Sequence, residues 1–296
     1  MRRLLPLLLV LVGAAPVRAA APPLRHLGAA TGSVFSDGHG LVAYQPSGDV
    51  VRVVDRRVRQ VALVRSPPGC ALTAFGSHTL LWDCQGSGEL MNVRTRHRAR
   101  IGPVPGGGGT FAQWTGVGAH WLVGTVHVPS GGGDEFVSRS TGEVRDTAPL
   151  ADRRVEADLD SVGLWRHMCA PLHAGRPSPQ PFVVEPQRSP FVFRPPLAAG
   201  IDRDHGDHER LIWGHCGRPM RVLWSCVTGC YAPDVGDHAV AWIDPLAGHL
   251  GVLLTDRRTV FGWRVTYPTS VALAGRRVFA QINGEVWTAR LPPVRH

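Results

Sequence analysis

The chain has 296 residues, of which 44% are hydrophobic and 19% charged. That composition excludes a disordered or collagen-like protein and leaves room for one large domain or two ordinary ones. The formal net charge is +9, yet all 32 basic residues are arginine. They are interspersed with acids rather than gathered in a stripe, so they read as solvated surface, and no nucleic-acid partner is expected.

Residues 1–21 read as a secretory signal peptide. Arg2 and Arg3 form a positive n-region and Leu4 to Val12 an apolar core; Val17-Arg18-Ala19 and Ala19-Ala20-Ala21 both offer small-residue cleavage sites. The apolar run is too short for a membrane span, and no later segment approaches about 18 uninterrupted apolar residues. Residues 22–296 are therefore expected to form a single monomeric domain, secreted or held in the cell envelope, with no membrane span.

Beyond the leader, a glycine followed by an apolar stretch, often with an aromatic, recurs. Gly38 leads into Leu41-Val42-Ala43-Tyr44, Gly76 into Thr79-Leu80-Leu81-Trp82, and Gly118 into Trp121-Leu122-Val123. Gly163 precedes Leu164-Trp165, Gly236 leads into Ala239-Val240-Ala241-Trp242, and Gly275 into Val278-Phe279-Ala280. Successive leading glycines are 38, 42, 45, 73 and 39 residues apart. A second signature follows most of these, as in SGDVVRVVDRR (47–57), SGELMNVRTRH (87–97), GDEFVSRSTG (133–142), AGHLGVLLTDRR (247–258) and NGEVWTARL (283–291). Glycine beside a polar residue makes a turn, and a β-branched strand follows. No stretch sustains helical periodicity.

Each period of about 40 residues thus reads as four antiparallel strands, A to D from the inside out, and the fold class is all-β. In the second unit A covers 70–75, B 79–84, C 89–95 and D 97–104. A lone sheet of this size cannot bury both faces. Stacking units around an axis does so and protects the edges, which predicts a β-propeller. The 73-residue gap holds two units if there are seven blades, the favoured number, and one swollen unit if there are six. SPFVFRPP (189–196), RLIWGHC (210–216) and RVLWSC (221–226) supply strands for the extra blade. The chain ends after strand C of the last unit, so residues 24–31 are expected to return as its outer strand and close the ring.

FSDGHGLVAYQPSGDVVRVVD (35–55) resembles the repeat of TolB-type and related WD40-like propellers. That repeat pairs a Ser-Pro-Asp-Gly turn with an apolar-aromatic strand, then a Gly-Asp turn and a strand ending in Asp. Ser36-Asp37-Gly38 lacks the proline, and Asp55 matches the closing acid. The resemblance is one of fold and implies no single activity. Trp82-Asp83 is not a WD40 signature, because it falls on the second strand and lacks the Gly-His partner.

All six cysteines, Cys70, Cys84, Cys169, Cys216, Cys226 and Cys230, follow the leader, and an even number in an exported chain implies disulfides. Cys70 and Cys84 are equidistant from Ser77 at the centre of the A–B turn, so they face one another across the hairpin. Cys230 occupies the repeat position of Cys70, but Asp244 stands where Cys84 would. Cys226 is then the nearest partner for Cys230, which leaves Cys169 with Cys216.

IDRDHGDHER (201–210) is the densest cluster of ligand-type residues. Its default reading is a solvated loop; Asp202, Asp204, Asp207 and His208 are the candidates for a metal, calcium first, although Gly206 precedes the third acid where an EF-hand has it after. No GxSxG motif is present, no catalytic residue is assigned, and GGGG (106–109) lacks a following Lys-Ser/Thr and helix. His39, His78, His120 and His238 recur at the A–B turns, read as structural, and are expected to lie far apart. Trp82, Trp242 and Trp287 read as packing between blades. The irregular loops, 106–109, 171–181 and 202–209, are expected on one face, the interaction surface for a protein or glycan. The expected function is that of a binding or scaffolding module. The alternative is an extracytoplasmic lyase, lactonase or glycosidase with its site at the central channel.

Overall fold

A computed structural model describes residues 17–105, 111–119, 121–128, 131–142, 144–145, 161–164, 168–171, 191–194, 197–203, 209–215, 221–226, 229–230 and 233–293. Among them every regular element is a β-strand, and no helix is long and apolar enough to cross a membrane. Two strands, β1 (Val17–Ala19) and β2 (Arg25–Ala29), precede the first sheet. Sheet 1 holds β3 (Phe35–Ser36), β4 (Leu41–Ser47), β5 (Val50–Asp55) and β6 (Gln60–Arg65). Sheet 2 holds β7 (Ala71–Gly76), β8 (Thr79–Cys84), β9 (Ser87–Asn92) and β10 (Arg98–Ile101). Sheet 3 holds β11 (Phe111–Val117), β12 (Trp121–Val128), β13 (Gly131–Ser138) and β14 (Val144–Arg145).

Sheet 4 is a pair, β15 (Ser161–Leu164) and β16 (Met168–Pro171). Sheet 5 holds β17 (Phe191–Arg194), β18 (Leu197–Arg203), β19 (Glu209–His215) and β20 (Arg221–Ser225). Sheet 6 holds β21 (Asp234–Gly236), β22 (Ala239–Asp244), β23 (His249–Leu254) and β24 (Thr259–Arg264), with β1 added parallel to β24. Sheet 7 holds β25 (Pro268–Leu273), β26 (Arg277–Ile282) and β27 (Glu285–Arg290), and β2 pairs with β27 as its outer strand. The strand expected at residues 24–31 is β2.

The apolar runs are near-continuous because inner strands are buried on both faces. On β8, Leu80 and Trp82 join the core with Ala43, Val51 and Val53 of sheet 1, while Leu81 joins Trp114, Val117 and Leu122 of sheet 3. On β22, Val240 and Trp242 pack with Leu197 and Leu211 of sheet 5, while Ala241 and Ile243 pack with Leu273 and Val278 of sheet 7. Sheet 7 in turn packs on sheet 1, through Ala272, Phe279 and Val286 against Val42, Tyr44 and Val54. Sheets 1, 2, 3, 5, 6 and 7 thereby supply walls for neighbouring sheets, and a single strand serves two cores through its two-residue periodicity.

Three first strands carry the same irregularity. The register slips by one residue at Thr73, Thr115 and Thr269, between Leu72 and Ala74, Trp114 and Gly116, and Pro268 and Ser270. A bulge leaves one residue without a cross-strand partner. Here its hydroxyl reaches strand B instead: Thr73 Oγ1 donates to Leu81 O at 3.4 Å, Thr115 Oγ1 lies 2.9 Å from Thr125 Oγ1, and Thr269 Oγ1 donates to Gln281 Oε1 at 2.7 Å.

The fold also engages Val17–Ala19 and Ala21, assigned above to the leader, together with residues just after it. Val17–Ala19 pair with Thr259–Phe261, Pro22 O accepts a hydrogen bond from Trp263 Nε1 at 2.7 Å, and Ala21 and Leu24 pack against the core of sheets 6 and 7.

Candidate functional site

A cleft of 460 Å³ runs between sheets 2 and 3. Two glycines shape it. A Cβ on Gly88 would stand 2.7 Å from Ile101 Cδ1 and 2.9 Å from Trp114 Cδ1, and one on Gly124 would stand 2.2 Å from Val104 Cγ1. The glycines let these side chains settle onto the strands. Trp114 is then fixed at both ends: its backbone N–H donates to Asp83 Oδ1 at 2.9 Å and its Nε1 to Gly102 O at 3.1 Å.

The floor is apolar, with Leu90, Ile101, Trp114, Leu122 and Val137, while the mouth is polar and basic, with Asn92, His97, Arg100 and Arg139. No acidic residue lines it among the described residues. Arg139 is held in place, donating through Nη1 to Gly118 O and through Nη2 to Thr79 Oγ1 at 3.5 Å. The outer wall is β10, the edge strand of sheet 2. The arrangement can hold an extended chain with apolar side chains inward and a negative group at the mouth.

Acids near the inner strands are committed to the scaffold. Asp37, 3% exposed, accepts from the backbone N–H groups of His39 and Leu41 through Oδ1, at 2.8 Å each, and its Oδ2 lies 2.7 Å from His78 Nδ1. Asp234 Oδ2 accepts from Leu273 N of sheet 7 at 2.6 Å. Ser36 Oγ donates to Leu273 O at 2.5 Å, tying sheet 1 to sheet 7. Such bonds satisfy buried main-chain groups that the strand ladders leave over.

The histidines do not all stand apart as expected. The rings of His39 and His78 lie with centroids 5.4 Å apart, because the A–B turns of adjacent sheets meet there and Asp37 draws His78 across. His238 is exposed, and His120 lies outside the described residues.

A second cluster fills the interface of sheets 5 and 6. Cys226 and Cys230 are disulfide-bonded and buried, and their sulfurs and an Asp244 carboxylate oxygen lie within 4.8 Å of one another. This is the one group of three metal-ligand side chains among the described residues. Asp244 is fully buried; Oδ2 accepts from Trp224 Nε1 at 3.1 Å and Oδ1 from Ala247 N at 3.0 Å. Its cross-strand partner His249 stacks on Trp224, centroids 4.3 Å apart and planes within 3°. Burial pushes the His249 imidazole below its ordinary pKa, against the pull of Asp244 and with the repulsion of Arg18.

Cys70–Cys84 forms as the sequence predicts, with Cα atoms 4.3 Å apart. The reason is finer than a turn centred on Ser77. The hairpin closes with Gly76 opposite Thr79, and the bulge at Thr73 shifts the register so that Ala71 faces Asp83 and the cysteines stand opposite. Cys226–Cys230 also forms. Cys169 lies on β16, but its side chain and Cys216 fall outside the described residues. Of the metal candidates, Asp202 lies on β18, paired with Arg210, and Asp204, Asp207 and His208 are outside the described residues, as are 106–109 and 172–181. Trp82 and Trp242 are fully buried between sheets, and Trp287 packs partly buried on the core of sheets 6 and 7. The cleft and the Asp244–His249 pair carry no motif; their only sequence signals are Gly88 and Gly124 on strands of neighbouring sheets and Asp and His on directly paired positions.

No protein-family model and no curated protein matches the chain. Solved structures do. A chain of the mitotic checkpoint complex aligns over 98% of this chain and 99% of its own, at 10% identity and a TM-score of 0.56. The Cps50 (Swd1) β-propeller domain of Myceliophteria thermophila aligns over 90% and 98%, at 10% identity and a TM-score of 0.55. TolB from Acinetobacter baumannii aligns over 86% of this chain and 68% of its own, at 15% identity and a TM-score of 0.49. The fold is a β-propeller, and at these identities the likeness extends to fold alone.

Proposed function

We infer that the protein is an exported β-propeller that acts as a binding or scaffolding module, and that the cleft between sheets 2 and 3 receives an extended segment of a protein partner. The cleft carries this reading. Its apolar floor suits aliphatic or aromatic side chains, and its arginine-bearing mouth, with no acid among the described residues that line it, suits an acidic group. The open edge of β10 offers main-chain hydrogen bonds to an added strand. The commitment of Asp37, Asp83 and Asp234 to backbone N–H groups supports binding over acid–base chemistry by these carboxylates.

Seven sheets in chain order, with sheet 7 packed on sheet 1 and completed by β2, support a ring of seven blades over six. The leader pattern and the disulfides Cys70–Cys84 and Cys226–Cys230 support an oxidising, extracytoplasmic location.

The test is capture of partners from culture supernatant and cell-wall fractions with the wild type, Ala99→Trp (which fills the cleft) and Arg100→Glu. Direct titration with extended acidic-apolar peptides and with soluble glycans accompanies it. Peptide binding that falls at least about tenfold in both variants supports the reading, since tenfold is only 1.4 kcal/mol. Binding indifferent to both variants, or glycan binding in its place, overturns it.

A further inference from the structure

We propose that the Cys226–Cys230 pair, when reduced, forms a divalent-metal site with Asp244, with His249 at its edge, zinc being the cation whose ligand preferences it fits. This rests on the packing of sheets 5 and 6 and is independent of the cleft.

Three observations converge. The two sulfurs and a carboxylate oxygen of Asp244 lie within 4.8 Å of one another, and all three residues are buried. The Cα atoms of Cys226 and Cys230 are 5.7 Å apart. Once the sulfur–sulfur bond is gone, rotation about the side chains can bring both thiolates to Zn–S distances of about 2.3 Å, with the carboxylate at about 2.0–2.2 Å. Second, Asp244 is a fully buried carboxylate with two hydrogen-bond donors and no cation paired to it among the described residues. A buried charge without a counter-charge costs several kcal/mol, in order of magnitude, and a bound cation supplies the missing charge.

Third, the same cluster holds two orphaned polar atoms. Neither His249 Nε2 nor Trp242 Nε1 has a hydrogen-bond partner among the described residues, although both are shielded from solvent. Unsatisfied buried nitrogens are rare and point to a water or ion. His249 stands directly opposite Asp244 across β22 and β23, and its ring is clamped between Trp224 and the backbone at Gly262, where a Cβ would meet His249 Cε1 at 2.6 Å. Its nitrogens are not among the ligand atoms that lie within 4.8 Å of one another, so it reaches a bound ion through water, and Trp224 holds both Asp244 and His249 in place from β20.

The chemistry balances with an external thiol or dithiol. Two electrons from it break the Cys226–Cys230 bond, each sulfur takes a proton, and the reductant leaves as its own disulfide. Zinc then displaces both thiol protons to solvent. In the oxidised protein each sulfur is bonded to the other and the thiolate ligands do not exist, so the site is available in one redox state alone.

The experiment uses the full chain, reduced with a non-thiol phosphine, titrated with Co²⁺ and back-titrated with Zn²⁺, and followed by thiolate-to-cobalt charge-transfer absorption and by zinc-dependent Tm. The expected result is stoichiometric binding by the reduced chain, none by the oxidised chain, and a Tm raised by zinc. Cys226→Ser should abolish the band, and the isosteric Asp244→Asn and His249→Ala should weaken affinity about 10–100-fold. The double variants Cys70→Ser/Cys84→Ser and Cys169→Ser/Cys216→Ser should keep it. A band that persists in Cys226→Ser, an affinity unchanged in Asp244→Asn or His249→Ala, a band lost with Cys169 and Cys216, or no band and no Tm shift in the reduced wild type overturns the proposal.

Discussion

The hairpins GSHTLLWDC (76–84) and GDHAVAWID (236–244) are the same element of sheets 2 and 6, and they are finished differently. Both place a fully buried tryptophan against the preceding sheet. In sheet 2 the last position is Cys84, bonded to Cys70 across its own hairpin, and Trp82 Nε1 donates to Ser66 Oγ at 3.2 Å. In sheet 6 the last position is Asp244, Cys230 turns to Cys226, and Trp242 Nε1 has no partner. The first is a closed structural staple. The second brings together a carboxylate, a disulfide, a histidine and an unsatisfied nitrogen. A repeat fixes where the core residues go; the positions it does not constrain are where two copies diverge.

The two tryptophans should carry the largest effects. Trp82→Ala and Trp242→Ala are each expected to cost about 3–5 kcal/mol, measured by denaturant unfolding. The phenylalanine variants separate the two sites: Trp82→Phe strands Ser66 Oγ and should cost about 1 kcal/mol more than Trp242→Phe, which removes an orphan donor. Equal costs would mean that Trp242 Nε1 has a partner in solution.

The disulfides should differ in proportion to the loops they close. Removing Cys70–Cys84, with a sequence separation of 14, should cost about 3 kcal/mol, and removing Cys226–Cys230, with a separation of 4, about 2 kcal/mol. Oxidised unfolding of the paired serine variants checks this.

Gly251→Ala probes a contact that sheet 2 lacks. Trp82 faces Glu89 across the strands, whereas Trp242 faces Gly251, and a Cβ there would stand 2.1 Å from Trp242 Cζ2. Overpacking of about 1–3 kcal/mol is expected, read as a lowered urea midpoint.

The smallest effect concerns the turns after strand C in sheets 1 and 2. Asp55 Oδ1 accepts from Arg57 N and Arg59 N, as Asn92 Oδ1 accepts from Arg94 N and Thr95 N. Burial acts to raise the Asp55 pKa, but the N–H groups of Arg59 and Arg57 and the Arg59 guanidinium outweigh it and hold the carboxyl below its ordinary 3.8. Below the ordinary value the unfolded chain binds the proton more readily, so this contribution is present above it and is lost as pH falls through the folded pKa. Asp55→Asn should therefore lower stability near neutrality and converge with the wild type in acid. A constant difference between pH 5 and pH 2 would show that the carboxylate charge is idle.

The repeat of about 40 residues, the all-β class, the strands of the second unit and the Cys70–Cys84 staple are legible because each is a local consequence of period-two patterning and turn chemistry, and the outer strand at 24–31 because the last unit lacks its fourth strand. Strand β18 is not legible in the sequence, since LAAGIDR has neither alternation nor an aromatic. The bulges at Thr73, Thr115 and Thr269 leave no mark in the sequence, because a threonine in a strand is ordinary and only the register reveals the slip. His39 and His78, expected far apart because they belong to different units, come together because the turns of neighbouring sheets meet, which nothing in the sequence of either unit reveals.

What the sequence determined by itself is the unit: four strands, their turns, which residues are apolar, and one hairpin disulfide. Only the tertiary structure decided what lies between units. Arg100 and Trp114 share a cleft, Val17–Ala19 pair with β24, and Asp244, His249 and Cys226–Cys230 meet between sheets 5 and 6. The physical reason is that hydrogen bonding and alternation act within a sheet, over a few residues, whereas the interfaces are set by shape and burial between sheets that are distant or irregularly joined in sequence.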